Sequence, residues 1–565
     1  MRILAFTALA LGFGLTAIQL SACSNSSDDC NATATCGATA GSSHAGNSGK
    51  SGSGSTDAGA SNGGSSGTSG SSNTSGSAGV MGGGGDGGAG GSACTGDVSD
   101  DAACWTTNDL GVFVSSDTGD DTTGNGTKEM PFKTITKGIA SASGKNVYVC
   151  VGAADYSEKI SLDLASDGIQ IYGGFECATW TYATTRSAQV LSPSNIALRI
   201  DGLKKGAHIE NVSFKAADAT GTGTDASSYG AFVTNAKGVV FKNVKVVAGK
   251  GANGHDGDAG VKGMDGATVP AADDAPQKGK PAKCSTPPAT QLGGAWSEQA
   301  SYGTLGGIGG TGRLDAGLSG GNGDPGTPTT GVALPGTDNS GAGATTVGVK
   351  GARGGDGSEG LHGEVGAAAA PAGEFSSKGF TPADGLIGKE GFTGQGGGGG
   401  GASKGNGVCV GASGGAGGMG GEGGAPGAGG SGGGASVALL SWNSQIVASS
   451  ALFNAAAGGA GGSGGGGGLH GQGGYGAPGG LGSGQIDDGG RGGDGGDGGD
   501  GGSGSGGTGG PSYALVYSGS KPTYDPADTT LTPGVGGDPG VGGSVSEIHA
   551  PDGLAGESAT DLEVK

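Results

Sequence analysis

Acidic side chains are the residues of this sequence best suited to catalysis. A pair of carboxylates at a fixed separation can hydrolyse a glycosidic bond, and clustered aspartates with Ca²⁺ and a basic residue could act as a polysaccharide lyase. Most of the acidic candidates lie in glycine-rich loops, where Asp serves turn geometry, and only Asp201 directly follows a strand-like run. We therefore predict no catalytic residue, and a carbohydrate-active enzyme stays as the alternative. The candidates are Asp117, Asp120, Asp121, Asp163, Asp167, Asp201 and Asp218, with Arg186 and Arg199 nearby.

A second acidic group is the run GGDGGDGGD, which contains Asp494, Asp497 and Asp500. A helix with three residues per turn would align these side chains about 9 Å apart on one edge. Because Ca²⁺ ligands sit within about 2.6 Å of the ion, that spacing does not form one calcium site. We expect a solvated acidic edge, with passive binding of cations or glycans as a further alternative. The histidines are dispersed without a paired spacing, so we predict no metal site and no cofactor. They are His44, His208, His255, His362, His470 and His549.

Cys23 stands apart from the other cysteines because it ends an N-terminal apolar run with a basic second residue. The run is too short for a lasting membrane span and predicts a signal peptide over 1–22. Its last residues, Leu20-Ser21-Ala22-Cys23, resemble the bacterial lipoprotein box. That resemblance implies lipidation of Cys23 and a membrane anchor, and Ser24 favours the outer membrane.

The other eight cysteines are an even number, which in an exported protein predicts disulfides. Pairing of nearest neighbours is one of 105 possible connectivities. No CxxC pair is present, which argues against a zinc site. The candidates, in nearest-neighbour order, are Cys30 with Cys36, Cys94 with Cys104, Cys150 with Cys177, and Cys284 with Cys409.

The overall composition limits the partners. Glycine contributes 143 of 565 residues, and the net charge is −21. The acidic field, with no basic stripe evident in the sequence, argues against nucleic-acid binding. Residues 23–92 are rich in Gly and Ser and predict a flexible tether.

Residues 93–250 predict the folded scaffold. Short runs rich in β-branched and aromatic residues recur between turn residues, as expected when successive coils stack. They cover 146–152, 168–175, 195–202, 207–214, 230–236 and 238–247. A strand at 112–114, a Gly/Asp/Thr loop and Pro131-Phe-Lys-Thr-Ile135 precede them, and we expect a helix to begin near Pro131. This stretch resembles the start of right-handed parallel β-helix proteins of the pectate-lyase-like class, which implies a mainly β fold with an N-terminal cap helix.

Two repeats refine this prediction. Asn211 and Asn243 occupy matching positions, and stacked asparagines at a coil corner could form a hydrogen-bonded ladder. Residues 231–251 also align with 438–460 at an offset of 207, pairing Ala231 with Ala438 and Val246 with Phe453.

Glycine-rich tracts lie on both sides of the second copy of this repeat, residues 438–460. We divide the remainder into an insertion at 251–434, a continuing coil at 435–457, a Gly-Gly-X array at 458–510, and a terminal strand with a polar tail at 511–565. The tracts resemble the arrays of PGRS-type surface proteins. They are expected to be either polyglycine II-like packed helices or disordered loops, since ordering glycine carries a large entropic cost.

These features together predict an exported lipoprotein at the outer membrane or cell surface. The expected role is structural, adhesive or shielding. The expected partners are the membrane, through the lipid anchor, and cell-surface polysaccharide or other surface proteins.

Overall fold

A computed structural model of the chain describes residue 94 and residues 96–333 and 338–565. Successive coils of the described chain stack into three sheets, named sheets A, B and C. All strand pairs within them are parallel. The fold is therefore mainly β, with the long parallel sheets expected of a parallel β-helix. The predicted signal peptide and tether lie outside the described residues.

The strands of each sheet are given in spatial order. Sheet A contains β1 (Gly111–Val114), β2 (Asn146–Val151), β4 (Ile169–Glu176), β7 (Ala207–Glu210), β10 (Val239–Lys242), β17 (Ile446–Ser449) and β20 (Thr523–Tyr524). Sheet B contains β5 (Ala188–Leu191), β8 (Val212–Lys215), β11 (Lys245–Val247), β18 (Leu452–Asn454) and β21 (Thr530–Thr532). Sheet C contains β3 (Ile160–Leu162), β6 (Ile196–Asp201), β9 (Ser228–Thr234), β16 (Ser436–Trp442), β19 (Ser512–Ser518) and β24 (Ser558–Glu563). Short antiparallel pairs outside these sheets join β12 (Thr290–Gln291) to β13 (Gly312–Arg313), β14 (Gly373–Ser376) to β15 (Gly379–Pro382), and β22 (Ser544–Val545) to β23 (Ile548–His549).

Apolar side chains from successive coils fill the interior of the column. Ile171, Ile209 and Phe241 are aligned in register in sheet A, and each is at most 1% exposed. Burial of one such side chain contributes about 1.5–3 kcal/mol. A single coil cannot bury these residues alone, so stacking is what stabilises each coil.

The helical elements are short. α1 (Ala102–Trp105) and α2 (Ile135–Ser141) precede β1 and β2, and two 3₁₀ turns occupy Leu164–Ser166 and Gly223–Ala226. None of the helices among the described residues is both long and apolar enough to cross a membrane.

The expected helix start near Pro131 is wrong, because α2 begins at Ile135 with Thr134 as its N-cap. Phe132 instead lies extended beside β1, donating its N–H to the Phe113 carbonyl and accepting the N–H of Ser115. Backbone paired with a strand cannot also form the first helical turn, so the helix begins after this pairing ends.

The long-range repeat stacks one coil directly on another. Val239 pairs with Ile446 and Val246 with Phe453, as the offset of 207 predicts. In sheet C the offset is one residue larger, and Ala231 pairs with Leu439 rather than with Ala438. The intervening corner explains the shift, because residues 235–238 are matched by the shorter corner 443–445.

The glycine-rich tracts form extended segments whose hydrogen bonds recur every third residue. Gly254, Gly257 and Gly260 donate their N–H groups to residues 460, 463 and 466, respectively, of a parallel neighbouring segment. This period is characteristic of polyglycine II-type helices packed side by side. Segment 489–510 has six hydrogen-bonded neighbours, and the last two of them adjoin only its residues 504–510. They are 351–366, 386–401, 415–433, 459–480, 537–543 and 551–554.

Close packing explains why glycine recurs at these positions. A Cβ on Gly471 would lie 1.9 Å from the carbonyl oxygen of Met264 in the adjacent segment. That separation is far below van der Waals contact, so any side chain there would push the two segments apart. The third residue of each triplet faces outward more often and can carry a side chain.

The end of the chain also belongs to the column. The polar tail expected after β19 contains β20, β21 and β24, which add one strand to each sheet. It also contributes bundle segments 534–543 and 551–556.

Candidate functional site

The aspartates of the GGDGGDGGD run lie against the antiparallel segment 459–480. The Oδ1 atoms of Asp494 and Asp497 accept the N–H groups of Gly476 and Gly473, each at 2.7 Å. Asp500 Oδ1 accepts the N–H of His470 at 3.0 Å. The aspartates therefore accept backbone N–H groups at the bundle edge, in the place of the carbonyl acceptors that a further glycine segment would supply.

The expectation of a solvated acidic edge is wrong for Asp500, whose side chain is 2% exposed. Its second oxygen accepts the Ser546 hydroxyl at 2.8 Å, and its Oδ1 lies 2.6 Å from His470 Nδ1. Burial opposes ionisation of this carboxyl, but the hydrogen bonds from Ser546 and His470 outweigh it and lower the pKa of Asp500. His362 Nδ1 accepts the Asp500 N–H at 2.9 Å.

The same arrangement recurs on the other side of segment 459–480. Asn253 Oδ1 accepts the N–H of Ala460 at 3.0 Å, and Asp256 Oδ1 accepts that of Ser463 at 2.6 Å. Asp265 Oδ1 accepts the N–H of Gln472 at 2.9 Å. Part of the acidity of the chain is thus used to complete the glycine bundle.

A separate polar cluster lies on the outer face of sheet A. Asp97, His208 and Glu210 bring three potential metal-ligand atoms within 4.8 Å of one another. Lys242 Nζ occupies the same place, 3.0 Å from Asp97 Oδ2 and 3.3 Å from Glu210 Oε2. The lysine ammonium supplies the positive charge that the carboxylates require, so these residues fit a salt-bridge network better than a metal site.

The electrostatics of this cluster are consistent with that assignment. Burial opposes ionisation of Glu210, but hydrogen bonds from His208 and Tyr182 and the charge of Lys242 lower its pKa. The Tyr182 hydroxyl donates to Glu210 Oε1 at 2.7 Å. For Lys242, burial is outweighed by Asp97 and Glu210, which raise the pKa of the ammonium. Through Asp97, the cluster ties the segment that precedes α1 to sheet A.

The seven acidic residues considered for catalysis are used in turns and corners. Six of them accept backbone N–H groups, as in Asp167, whose Oδ1 accepts those of Lys204, Lys205 and Gly206. Asp201 accepts the Thr234 hydroxyl at 2.6 Å. Arg199 lies over the Phe232 ring at 5.0 Å, and Arg186 is within 3.5 Å of the Thr181 carbonyl. The other five acceptors are Asp117, Asp120, Asp121, Asp163 and Asp218.

Disulfides tie the loops to the scaffold. Among the described residues the structure joins Cys94 to Cys104, Cys150 to Cys177, and Cys284 to Cys409. Cys23, Cys30 and Cys36 lie outside the described residues.

Asn211 and Asn243 stand at successive corners between sheets A and B. Both have left-handed backbone, with φ of 55° and 51°, and Asn243 Nδ2 donates to Asn211 Oδ1. Asparagine tolerates this conformation better than most residues.

A second stack of left-handed residues lies at the corner between sheets C and A. Its members are Gly202, Asn235, Asn443 and Gly519, with φ between 51° and 86°. Sequence reasoning did not identify it, although an Asn follows the strand in both SYGAFVTN and SVALLSWN.

Comparisons with known proteins give one family match. Residues 117–178 match the model of a family described as a protein of unknown function (DUF1565). Those residues run from the loop after β1 to the start of the Cys177 loop and include β2, β3 and β4. No curated protein and no solved structure matches the chain significantly.

Proposed function

We propose that this protein is an exported, lipid-anchored surface scaffold with a structural or adhesive role. Its parallel β-helix holds the glycine bundle, and the bundle presents an extended surface. The observation that carries the proposal is the hydrogen bonding of segment 489–510, in which every glycine N–H donates to a carbonyl of a neighbouring segment. Such a segment serves as a packed support.

The outward residues supply the contact surface. Leu469, Gln472 and Tyr475 follow one another at intervals of three along segment 459–480, and Leu469 and Tyr475 are 52% and 71% exposed. Because glycine is required only at the inward positions, these outward positions can change without disturbing the packing. Such a surface is better suited to broad, weak contacts with a large partner than to binding a small molecule, which needs a deep pocket.

Export is supported by the cysteines. Disulfides persist in oxidising compartments, and the Leu-Ser-Ala-Cys23 box supplies an acylation site. More than one acyl chain is needed for stable membrane attachment.

The anchor is tested by expressing the full chain in an outer-membrane bacterium with labelled palmitate. The wild type and a Ser24→Ala control are expected to take up the label and to be cleaved when intact cells are treated with protease. Cys23→Ser is expected to lose the label and leave the membrane fraction. Labelling of Cys23→Ser, or protection of the wild type in intact cells, would contradict the proposal.

The enzymatic alternative is tested separately. The purified chain is incubated with a panel of polyuronates, with and without Ca²⁺, beside an Asp201→Ala variant. No release of oligosaccharide is expected from either protein. Product release by the wild type that the variant abolishes would replace the scaffold proposal with an enzyme.

A further inference from the structure

The corner between sheets C and A concentrates positive charge on an otherwise acidic protein. Four successive corners, 202–206, 235–238, 443–445 and 519–522, contain four lysines and no Asp or Glu. The whole chain carries 50 acidic against 29 basic residues. The lysines are Lys204, Lys205, Lys237 and Lys521.

Most of these lysines are unpaired. Lys521 Nζ lies 2.5 Å from Asp561, whereas Lys204, Lys205 and Lys237 are exposed and make no ion pair with any residue that the structure describes. Two acids lie beside these three lysines. Asp167 uses its Oδ1 to accept backbone N–H groups from this corner, and Asp201, which precedes the first corner, accepts the Thr234 hydroxyl.

A cleft of about 400 Å³ runs along this corner. Besides two lysines, its lining offers amide and hydroxyl groups that can donate to or accept from a sugar hydroxyl. Asn443 Nδ2 donates one long hydrogen bond, of 3.4 Å, to Asn235 Oδ1. Each side-chain amide has two N–H donors, so both amides keep donor capacity. The lining residues are Lys204, Asn235, Lys237, Asn443, Ser444, Gln445, Gly519 and Ser520.

The stacking of the coils makes this group linear. Neighbouring strands lie about 4.8 Å apart, so equivalent corner residues repeat along the column axis. The left-handed stack of Gly202, Asn235, Asn443 and Gly519 keeps the corners in register. Lysines and amides at such intervals match an extended polymer that carries both anionic groups and hydroxyls.

We propose that this corner binds an anionic polysaccharide, such as a polyuronate, lying along the column. Single-stranded nucleic acids are normally held by aromatic stacking, and the four corner segments contain no aromatic residue. Duplex DNA binders commonly make about 6–10 phosphate contacts, more than the three unpaired lysines supply. The proposal concerns the purified chain and does not depend on where the protein resides.

The test measures binding of polygalacturonate to the purified full chain by titration calorimetry, with dextran and inorganic phosphate as comparison ligands. Lys204→Gln/Lys237→Gln is the corner variant. Lys215→Gln/Lys245→Gln is the matched control, because these two exposed lysines lie in sheet B and likewise make no ion pair with any described residue. The thermal midpoint of both variants is measured to show that they remain folded.

The corner variant is expected to bind polygalacturonate about tenfold more weakly, from two surface charge contacts, and the control within about twofold of the wild type. Added salt should weaken wild-type binding. Absence of wild-type binding, an equal loss in both variants, or equal affinity for dextran would overturn the proposal. Phosphate binding as tight as that of the polymer would show an anion site only and would also overturn it.

Discussion

Single aspartates in the glycine arrays act as hydrogen-bond acceptors for neighbouring backbone. A glycine segment inside the bundle finds carbonyl acceptors for its N–H groups on other segments, but a segment at the edge lacks some of these neighbours. Asp494, Asp497 and Asp500 supply acceptors there at intervals of three residues. An unpaired buried N–H would cost about 1–3 kcal/mol, which explains why Asp occupies the third position.

Asp497 gives a direct test of this role. Asp497→Ala is expected to lower the free energy of unfolding by about 1 kcal/mol, because Gly473 loses its acceptor. Asp497→Asn keeps an acceptor oxygen and should stay within about 0.5 kcal/mol of the wild type. Chemical denaturation measures both. Equal destabilisation by Asn and Ala would show that the charge matters instead.

Glu210 gives a pH-dependent test on sheet A. Its pKa in the folded chain lies below the ordinary value of 4.5. Its stabilisation is therefore fully present above that value and is lost as the pH falls through the lowered pKa. Glu210→Gln should reduce the stability by about 2 kcal/mol at pH 7, and the two curves should converge in acid.

The control for this experiment is Glu374→Gln, at an exposed position of β14. Its stability difference from the wild type should be near zero at all pH values. A Glu210→Gln difference that stays constant between pH 7 and pH 3 would contradict the assigned network.

The glycine segments are the elements whose packing depends most on a missing side chain. Gly471 and Gln472 are adjacent in sequence but face opposite environments, the bundle interior and solvent. Gly471→Ala should destabilise the protein by about 1–3 kcal/mol, because its Cβ meets the Met264 carbonyl. Gln472→Ala, the control, should change stability by less than about 0.5 kcal/mol. Thermal unfolding compares them, and equal midpoints would contradict the close packing.

Local sequence was sufficient to locate many strands of the column. β2, β4 and β10 coincide with runs of β-branched and aromatic residues bounded by turn residues. β24 was not anticipated, because Ser558–Glu563 is an edge strand with little apolar alternation. The neighbours of each glycine segment could not be predicted either, since near-identical triplets do not specify their partners.

The candidate site shows the same division. The turn roles of Asp120 and Asp163 follow from short-range geometry and could be anticipated. The cluster of Asp97, Glu210 and Lys242 joins residues far apart in sequence, and only the stacking of the coils brings them together. The lysine corner likewise becomes visible only when successive coils are aligned.

At the scale of the whole molecule, two kinds of packing share one chain. The column buries branched and aromatic side chains, whereas the bundle buries backbone and depends on hydrogen bonds between glycines. The chain passes repeatedly between the bundle and the column. For example, bundle segment 412–434 leads into β16 of the column, and bundle segment 489–510 leads into β19. Ordering the glycine backbone costs about 1–2 kcal/mol per residue, so the bundle needs nearly all of its hydrogen bonds.

If the glycine tracts are hydrogen-bonded structural elements, their amides are protected from exchange with solvent. Hydrogen exchange of the full chain, followed by mass spectrometry, measures this protection. We expect amides in 412–434 and 489–510 to exchange at least about a hundredfold more slowly than those in the exposed loop 268–274. Exchange in the glycine segments as fast as in that loop would contradict this expectation.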